Sequence, residues 1–196
     1  MRDIIKGIAK AIMKFLFRVE VINQDNVPKD GKAILCSNHI NAIDGPLVLA
    51  FTDRKVNFIA KEELWKHKVV AYVLDLFDAI SINRAEPKVQ TFKEVKKVLE
   101  RDELLGIFPE GTRNGLAKEL EVKDGASFIA IRNNAPIIPI KLIGNYRVFS
   151  KIKMIYGQPL MLANRNVKEG TKQIMQAIEE IEEPVSKRVL IKRSNN

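Results

Sequence analysis

His39 and Asp44 stand five residues apart in the run Ser37-Asn38-His39-Ile40-Asn41-Ala42-Ile43-Asp44, directly after the apolar stretch Ala33-Ile34-Leu35-Cys36. A neutral imidazole takes a proton from a hydroxyl near neutral pH. A carboxylate on its other ring nitrogen fixes the tautomer and stabilises the imidazolium that forms. The chain has only two histidines, so this pair is a candidate general-base dyad. A second loop, Phe108-Pro109-Glu110-Gly111-Thr112-Arg113-Asn114, also follows an apolar run. Gly111 lets the backbone turn and come close to a ligand, and the N–H groups around it can point at phosphate oxygens. Arg113 offers a planar fork for bidentate phosphate contact. An ionised Glu110 only accepts hydrogen bonds, so it holds a substrate hydroxyl or orients an arginine instead of binding phosphate.

Two further cations qualify as anion ligands. Arg84 closes an apolar stretch, and Lys61 opens what reads as a helix, where positive charge opposes the macrodipole. His67, between Lys66 and Lys68, reads as a solvated side chain. Cys36 and Ser37 lie close enough to His39 to act as covalent nucleophiles, although Cys36 sits inside the apolar stretch and reads as core. His39 and Asp44 lack helical ligand spacing, and with two histidines in the chain a metal site is disfavoured.

These residues need a scaffold that brings them together, and the hydrophobic pattern supplies one. Strands are predicted over 18–22, 32–37, 56–60, 79–83, 104–108, 137–143 and 151–156. Helices are predicted over 3–17, 45–52, 61–76, 87–101, 124–133 and 167–185. Alternating strands and helices argue for right-handed βαβ units and a mostly parallel sheet flanked by helices. The expectation is a single α/β domain over 19–196 behind an N-terminal amphipathic helix over 1–18. Ligands of such sheets bind outside the carboxyl ends of the strands. Asn38 and His39, Lys61 and Glu62, Arg84, and the 110–113 loop each follow one strand, so they converge on one sheet edge if those strands are parallel.

The chain of 196 residues carries 33 basic against 24 acidic side chains, a net charge of +9. That balance suits anionic partners. Aromatics make up only 7% and lie in apolar runs, which argues against nucleic acid. A single cysteine excludes an internal disulfide and fits a reducing compartment. No secretory signal and no stretch long enough to span a bilayer is visible. In the first helix Ile4, Ile5, Ile8, Ala9, Ala11, Ile12, Phe15 and Leu16 fall on one broad face, with Lys6, Lys10 and Lys14 opposite and Met13 and Phe17 as interlopers. That is the pattern of a helix lying in an anionic membrane interface, as well as of one packed on its own domain. The expected location is peripheral, on the cytoplasmic face of the membrane.

The motifs in order resemble those of the glycerolipid acyltransferases, a family that includes the bacterial 1-acyl-sn-glycerol-3-phosphate (lysophosphatidic acid) acyltransferases. Asn38-His39-x4-Asp44 with Gly45-Pro46 is similar to the first family motif. The segment 78–84, ending on Arg84, resembles the second, and 108–113 the third. Ala135-Pro136-Ile137-Ile138-Pro139-Ile140 resembles the fourth. Lys61-Glu62-Glu63-Leu64 resembles a lysine-bearing segment between the first two. Asp78 departs from the family, which commonly has glycine there. The resemblance implies that His39, backed by Asp44, deprotonates the sn-2 hydroxyl of lysophosphatidic acid for attack on acyl-CoA or acyl-carrier protein, giving phosphatidic acid without a metal, cofactor or covalent intermediate. It implies that Arg84, Glu110, Gly111, Thr112 and Arg113 hold the phosphoglycerol head, and that Lys61 meets developing negative charge. The alternatives are another lysophospholipid or amino-lipid acceptor, covalent catalysis through Ser37 or Cys36, and a non-catalytic protein that binds anionic lipid.

Overall fold

A computed structural model describes residues 1–83, 86, 88–111, 123–163 and 165–183. Arg84, Thr112 and Arg113 lie outside the described residues. Seven strands, β1 (Arg18–Ile22), β2 (Ala33–Ser37), β3 (Val56–Lys61), β4 (Ile80–Ile82), β5 (Leu104–Ile107), β6 (Ile137–Ile143) and β7 (Lys151–Tyr156), form one sheet in the order β1-β7-β6-β2-β5-β3-β4. Every neighbouring pair is parallel except β6 with β7. The helices are α1 (Arg2–Leu16), α2 (Asp44–Phe51), α3 (Lys68–Leu76), α4 (Val89–Glu100), α5 (Gly125–Asn133) and α6 (Val167–Glu179).

Side-chain alternation along the strands divides the core into two layers. On one face Ala33, Leu35, Val56, Phe58 and Leu104 pack with Leu47, Val48 and Phe51 of α2 and Met13 of α1. On the other, Ile34, Cys36, Leu105 and Ile107 meet Val95 and Leu99 of α4, Ile129 of α5 and Ile174 of α6. The connection from β2 passes over the first face towards β3, and the one from β5 passes over the second face towards β6. Right-handed crossovers require this, because the two connections run in opposite directions along the sheet. β2 and β5 are neighbours, so a crevice opens between their carboxyl ends. This is the position where open α/β sheets take their ligands.

Three elements depart from the sequence reading. Lys61 does not open a helix: it is the last residue of β3, a 3-10 turn follows over Glu62–Lys66, and α3 starts only at Lys68. The long helix expected over 61–76 is therefore broken at His67, an exposed residue with extended backbone. The last helix stops at Glu179 instead of reaching 185. Finally, α1 turns Lys6 and Lys10 towards the protein, while Lys14 is exposed. Lys6 Nζ donates to the Thr52 carbonyl at 2.6 Å, and Lys10 lies over the Phe51 ring at 5.5 Å. Burial holds the Lys6 ammonium below the usual lysine range. Ile4, Ile8, Ile12 and Phe15 point outward instead, with Phe15 74% exposed.

Candidate active site

The dyad forms. His39 Nδ1 meets Asp44 Oδ2 at 2.8 Å. The same oxygen accepts the N–H groups of Ile40 and Asn41, each at 2.7 Å. The intervening loop is thus wound around the carboxylate, a tight turn that five-residue spacing permits. Asn41 closes it, its Oδ1 accepting the Ile43 N–H and its carbonyl the Asp44 N–H. Asp44 is the first residue of α2, where the helix dipole favours a negative charge, and it is wholly buried. A neutral His39 whose Nδ1–H donates to Asp44 carries its lone pair on Nε2, which makes Nε2 the basic atom.

Neighbouring strands fix the histidine. Asn38 continues β2 with its side chain: Oδ1 accepts the Leu142 N–H at 2.7 Å, and Nδ2 donates to the Leu142 carbonyl at 3.0 Å. Glu110, buried in the loop after β5, accepts the His39 backbone N–H at 3.1 Å. The sequence reading offered Glu110 a substrate hydroxyl or an arginine. Its contact with the His39 backbone comes in addition to either role. Gly111 follows at φ +67°, and its N–H closes a turn on the Phe108 carbonyl. That conformation suits glycine and explains the residue's place in the loop.

The imidazole also has a packed wall. Phe108 stacks on His39 with ring centroids 4.2 Å apart, and Phe58 stacks on Phe108 at 5.4 Å. Phe58 lies across Gly106 of β5, where a Cβ would stand 2.5 Å from its ring. Sequence reasoning missed this column. Its only signal was an isolated glycine inside an apolar strand, the mark of close approach by another group.

The other candidates distribute as follows. Lys61 is exposed at the carboxyl end of β3, paired in register with Ile82 of β4, so it shares the sheet edge with the dyad. It stands two residues from Ile59, on the α4 face, and the aromatic column occupies the opposite face. Asp78 adopts φ +51°, the left-handed turn a glycine would make, and its carboxylate contacts Arg2 and Lys55. Cys36 is buried, and burial pushes its thiol well above the usual range, which keeps it protonated. The Ser37 hydroxyl donates to the Asn38 carbonyl. Neither presents an activated nucleophile to His39. Among the described residues, no cluster of three or more His, Cys, Asp or Glu side chains is placed to hold a metal ion, and no helix is long and apolar enough to cross a membrane.

Comparison with known proteins identifies the family. Residues 18–143 match the family model described as Acyltransferase. A 1-acyl-sn-glycerol-3-phosphate acyltransferase of Bacillus subtilis (strain 168) is 30% identical over 161 residues, covering 79% of this chain and 80% of the relative. A protein of the same name from Borreliella burgdorferi is 32% identical over 137 residues, covering 68% of this chain and 54% of the relative. The crystal structure of the 1-acyl-sn-glycerophosphate (LPA) acyltransferase PlsC from Thermotoga maritima superposes with a TM-score of 0.74 at 26% identity, covering 94% of this chain and 81% of that one. The match spans the strands that carry the dyad and the Glu110 loop, and the chain belongs to the acyltransferase family.

Proposed function

We propose that this protein transfers a fatty acyl group from a thioester donor, acyl-CoA or acyl-carrier protein, to the sn-2 hydroxyl of lysophosphatidic acid, forming phosphatidic acid. His39 Nε2 takes the hydroxyl proton as the oxygen attacks the thioester carbonyl. The tetrahedral intermediate collapses, the carbon–sulfur bond breaks, and the departing sulfur receives the proton back from His39. Asp44 keeps Nδ1 protonated and stabilises the imidazolium between the two transfers. Base catalysis of this kind contributes roughly 10²–10⁴-fold, and positioning supplies much of the remainder.

The observation that carries the reading is the His39 Nδ1–Asp44 Oδ2 contact at 2.8 Å, set between β2 and β5 at the crevice of the sheet. Gly111 and its neighbours Thr112 and Arg113, together with Arg84 past β4, are proposed to hold the acceptor phosphate, with Lys61 adding positive potential at that edge. The names of the B. subtilis and B. burgdorferi relatives support lysophosphatidic acid as acceptor. The acceptor is a membrane amphiphile and the product a bilayer lipid, so the enzyme meets both at a membrane surface. The outward stripe Ile4, Ile8, Ile12 and Phe15 suits insertion among acyl chains, peripheral and on the cytoplasmic side. Phe149 and Val148, exposed on the β6–β7 loop, extend that stripe, with Phe149 edge-on to Phe15 at 6.3 Å.

A thiol-release assay tests this by crossing acyl-CoA and acyl-carrier-protein donors with lysophosphatidic acid, lysophosphatidylcholine and lysophosphatidylethanolamine. Thiol release with lysophosphatidic acid, abolished in a folded His39→Ala variant, is the expected result. A folded His39→Ala variant of near-normal rate removes the mechanism. Preference for another acceptor reassigns the substrate.

A further inference from the structure

We propose that Tyr146 is a positioning residue for the base, its hydroxyl holding Oδ1 of Asp44 so that Oδ2 stays aligned on Nδ1 of His39. The inference rests on the reading of His39 as the general base.

The carboxylate of Asp44 has two oxygens with separate duties. Oδ2 serves His39 and the two backbone amides of the loop. Oδ1 accepts the Tyr146 hydroxyl. Rotation about the Cβ–Cγ bond would swing Oδ2 away from Nδ1, and a donor on the opposite oxygen adds a second restraint against it. Tyr146 comes from the β6–β7 loop, 102 residues further along the chain. Its placement is not casual. Tyr146 adopts φ +46°, a region that residues with a Cβ avoid, and Phe149 in the same loop adopts +64°. Its ring packs edge-on against Phe17 at the end of α1, with centroids 5.8 Å apart. The loop is pinned where the Phe149 N–H donates to the Leu16 carbonyl at 2.6 Å. Burial and the adjoining Asp44 charge push the Tyr146 phenol well above its usual range, so it remains a donor across the working pH range.

The hydroxyl also sets how much negative charge Asp44 presents to the imidazolium. A donor on Oδ1 shares that charge and loosens the hold on the proton that His39 must return to the leaving sulfur. Among the described residues, the titratable groups meeting this cluster are His39 itself and Glu110, which faces it from the loop after β5. The residue after α1 brings the Phe17 ring and the loop after β5 the Phe108 ring, and Arg147 beside Tyr146 is exposed.

The test is the pH profile of kcat/KM for acyl transfer to lysophosphatidic acid in the full chain. Tyr146→Phe should lower kcat about tenfold, leave the acceptor KM within about twofold, and move the acid limb roughly one pH unit upward, because undivided charge on Asp44 holds the imidazolium more tightly. Incorporation of 3-fluorotyrosine at 146 keeps the packing and strengthens the donor, so it should move the acid limb the opposite way. Profiles of unchanged shape in both variants, with activity scaled only by the folded fraction, overturn the proposal. If His39→Ala is inactive while both Tyr146 variants keep the wild-type profile, the positioning role fails and the base survives. If His39→Ala is active, the base fails first.

Discussion

Asp44 accepts four hydrogen bonds while wholly buried, three at Oδ2 and one at Oδ1, so every donor around it requires an acceptor. Asp44→Asn removes the charge and turns an NH₂ towards those donors. It should cut kcat/KM by roughly 10²–10⁴-fold. It should also lower stability by about 1–3 kcal/mol, readable by denaturant unfolding. Glu110 accepts the His39 backbone N–H, so the two substitutions there should separate. Glu110→Gln keeps an acceptor for the His39 N–H and should retain most of kcat. Glu110→Ala releases it and should lose about 10²-fold, as a base displaced by a fraction of its contact distance does. Equal losses in the two variants would place the role of Glu110 in its charge. The dyad was legible from residue type and spacing because its geometry is local. The backbone role of Glu110 was not, since it depends on β2 and β5 lying side by side.

The pair β3–β5 supplies the wall behind the imidazole. Gly106 makes room for Phe58, and Phe58 supports Phe108 on His39. Gly106→Ala forces a methyl group into that ring. The expected cost is about 1–3 kcal/mol in unfolding free energy, together with a fall in kcat as the stack tilts. Loss of stability without loss of kcat would separate the column from the chemistry. At the other end of the same strands, Glu103 accepts hydrogen bonds from Lys55, Asn57 and Arg101. Burial alone would raise its carboxyl; these three donors outweigh it and hold it below the usual glutamate range. A lowered folded value means the contribution is present above the ordinary glutamate value and lost as pH falls through the lowered one. Glu103→Gln should therefore cost about 1 kcal/mol at neutral pH, a modest figure for a partly solvated pair. The difference should shrink when unfolding is repeated under acid conditions. Strand positions were readable from apolar runs, whereas the end of β3 was misplaced at Lys61 because its polar side chain resembles a helix start.

At the scale of the whole molecule, α1 joins two surfaces. Its inner side is part of the core through Met13, tied down by Lys6 and Lys10, and its outer side is an apolar stripe continued by Phe149 and Val148. The double variant Ile8→Asp, Phe15→Asp should release the protein from anionic liposomes in a flotation assay without lowering its melting temperature, because both side chains are exposed. Activity on detergent-dispersed acceptor should persist. Lys10→Ala should weaken packing on Phe51 more than it weakens liposome binding. The converse result would mean that the lysines, not the isoleucines, face the membrane. Periodicity found the apolar stripe of this helix and the lysine side opposite it. Packing decided that Met13, Lys6 and Lys10 would face the protein together with Ala9 and Leu16 from the edge of the stripe.

The order of the motifs, the alternation of strand and helix, and the His39–Asp44 pairing were determined by sequence alone. Each depends on hydrogen bonds and hydrophobic repeats within a few residues, which local residue types fix. Tertiary structure decided what crosses the sheet: Asn38 clamped to Leu142, Phe58 laid over Gly106, Tyr146 reaching Asp44, and the outward face of α1. Those contacts follow from strand order and from which helix covers which layer. They are outcomes of packing the whole chain, and no short window of residues encodes them.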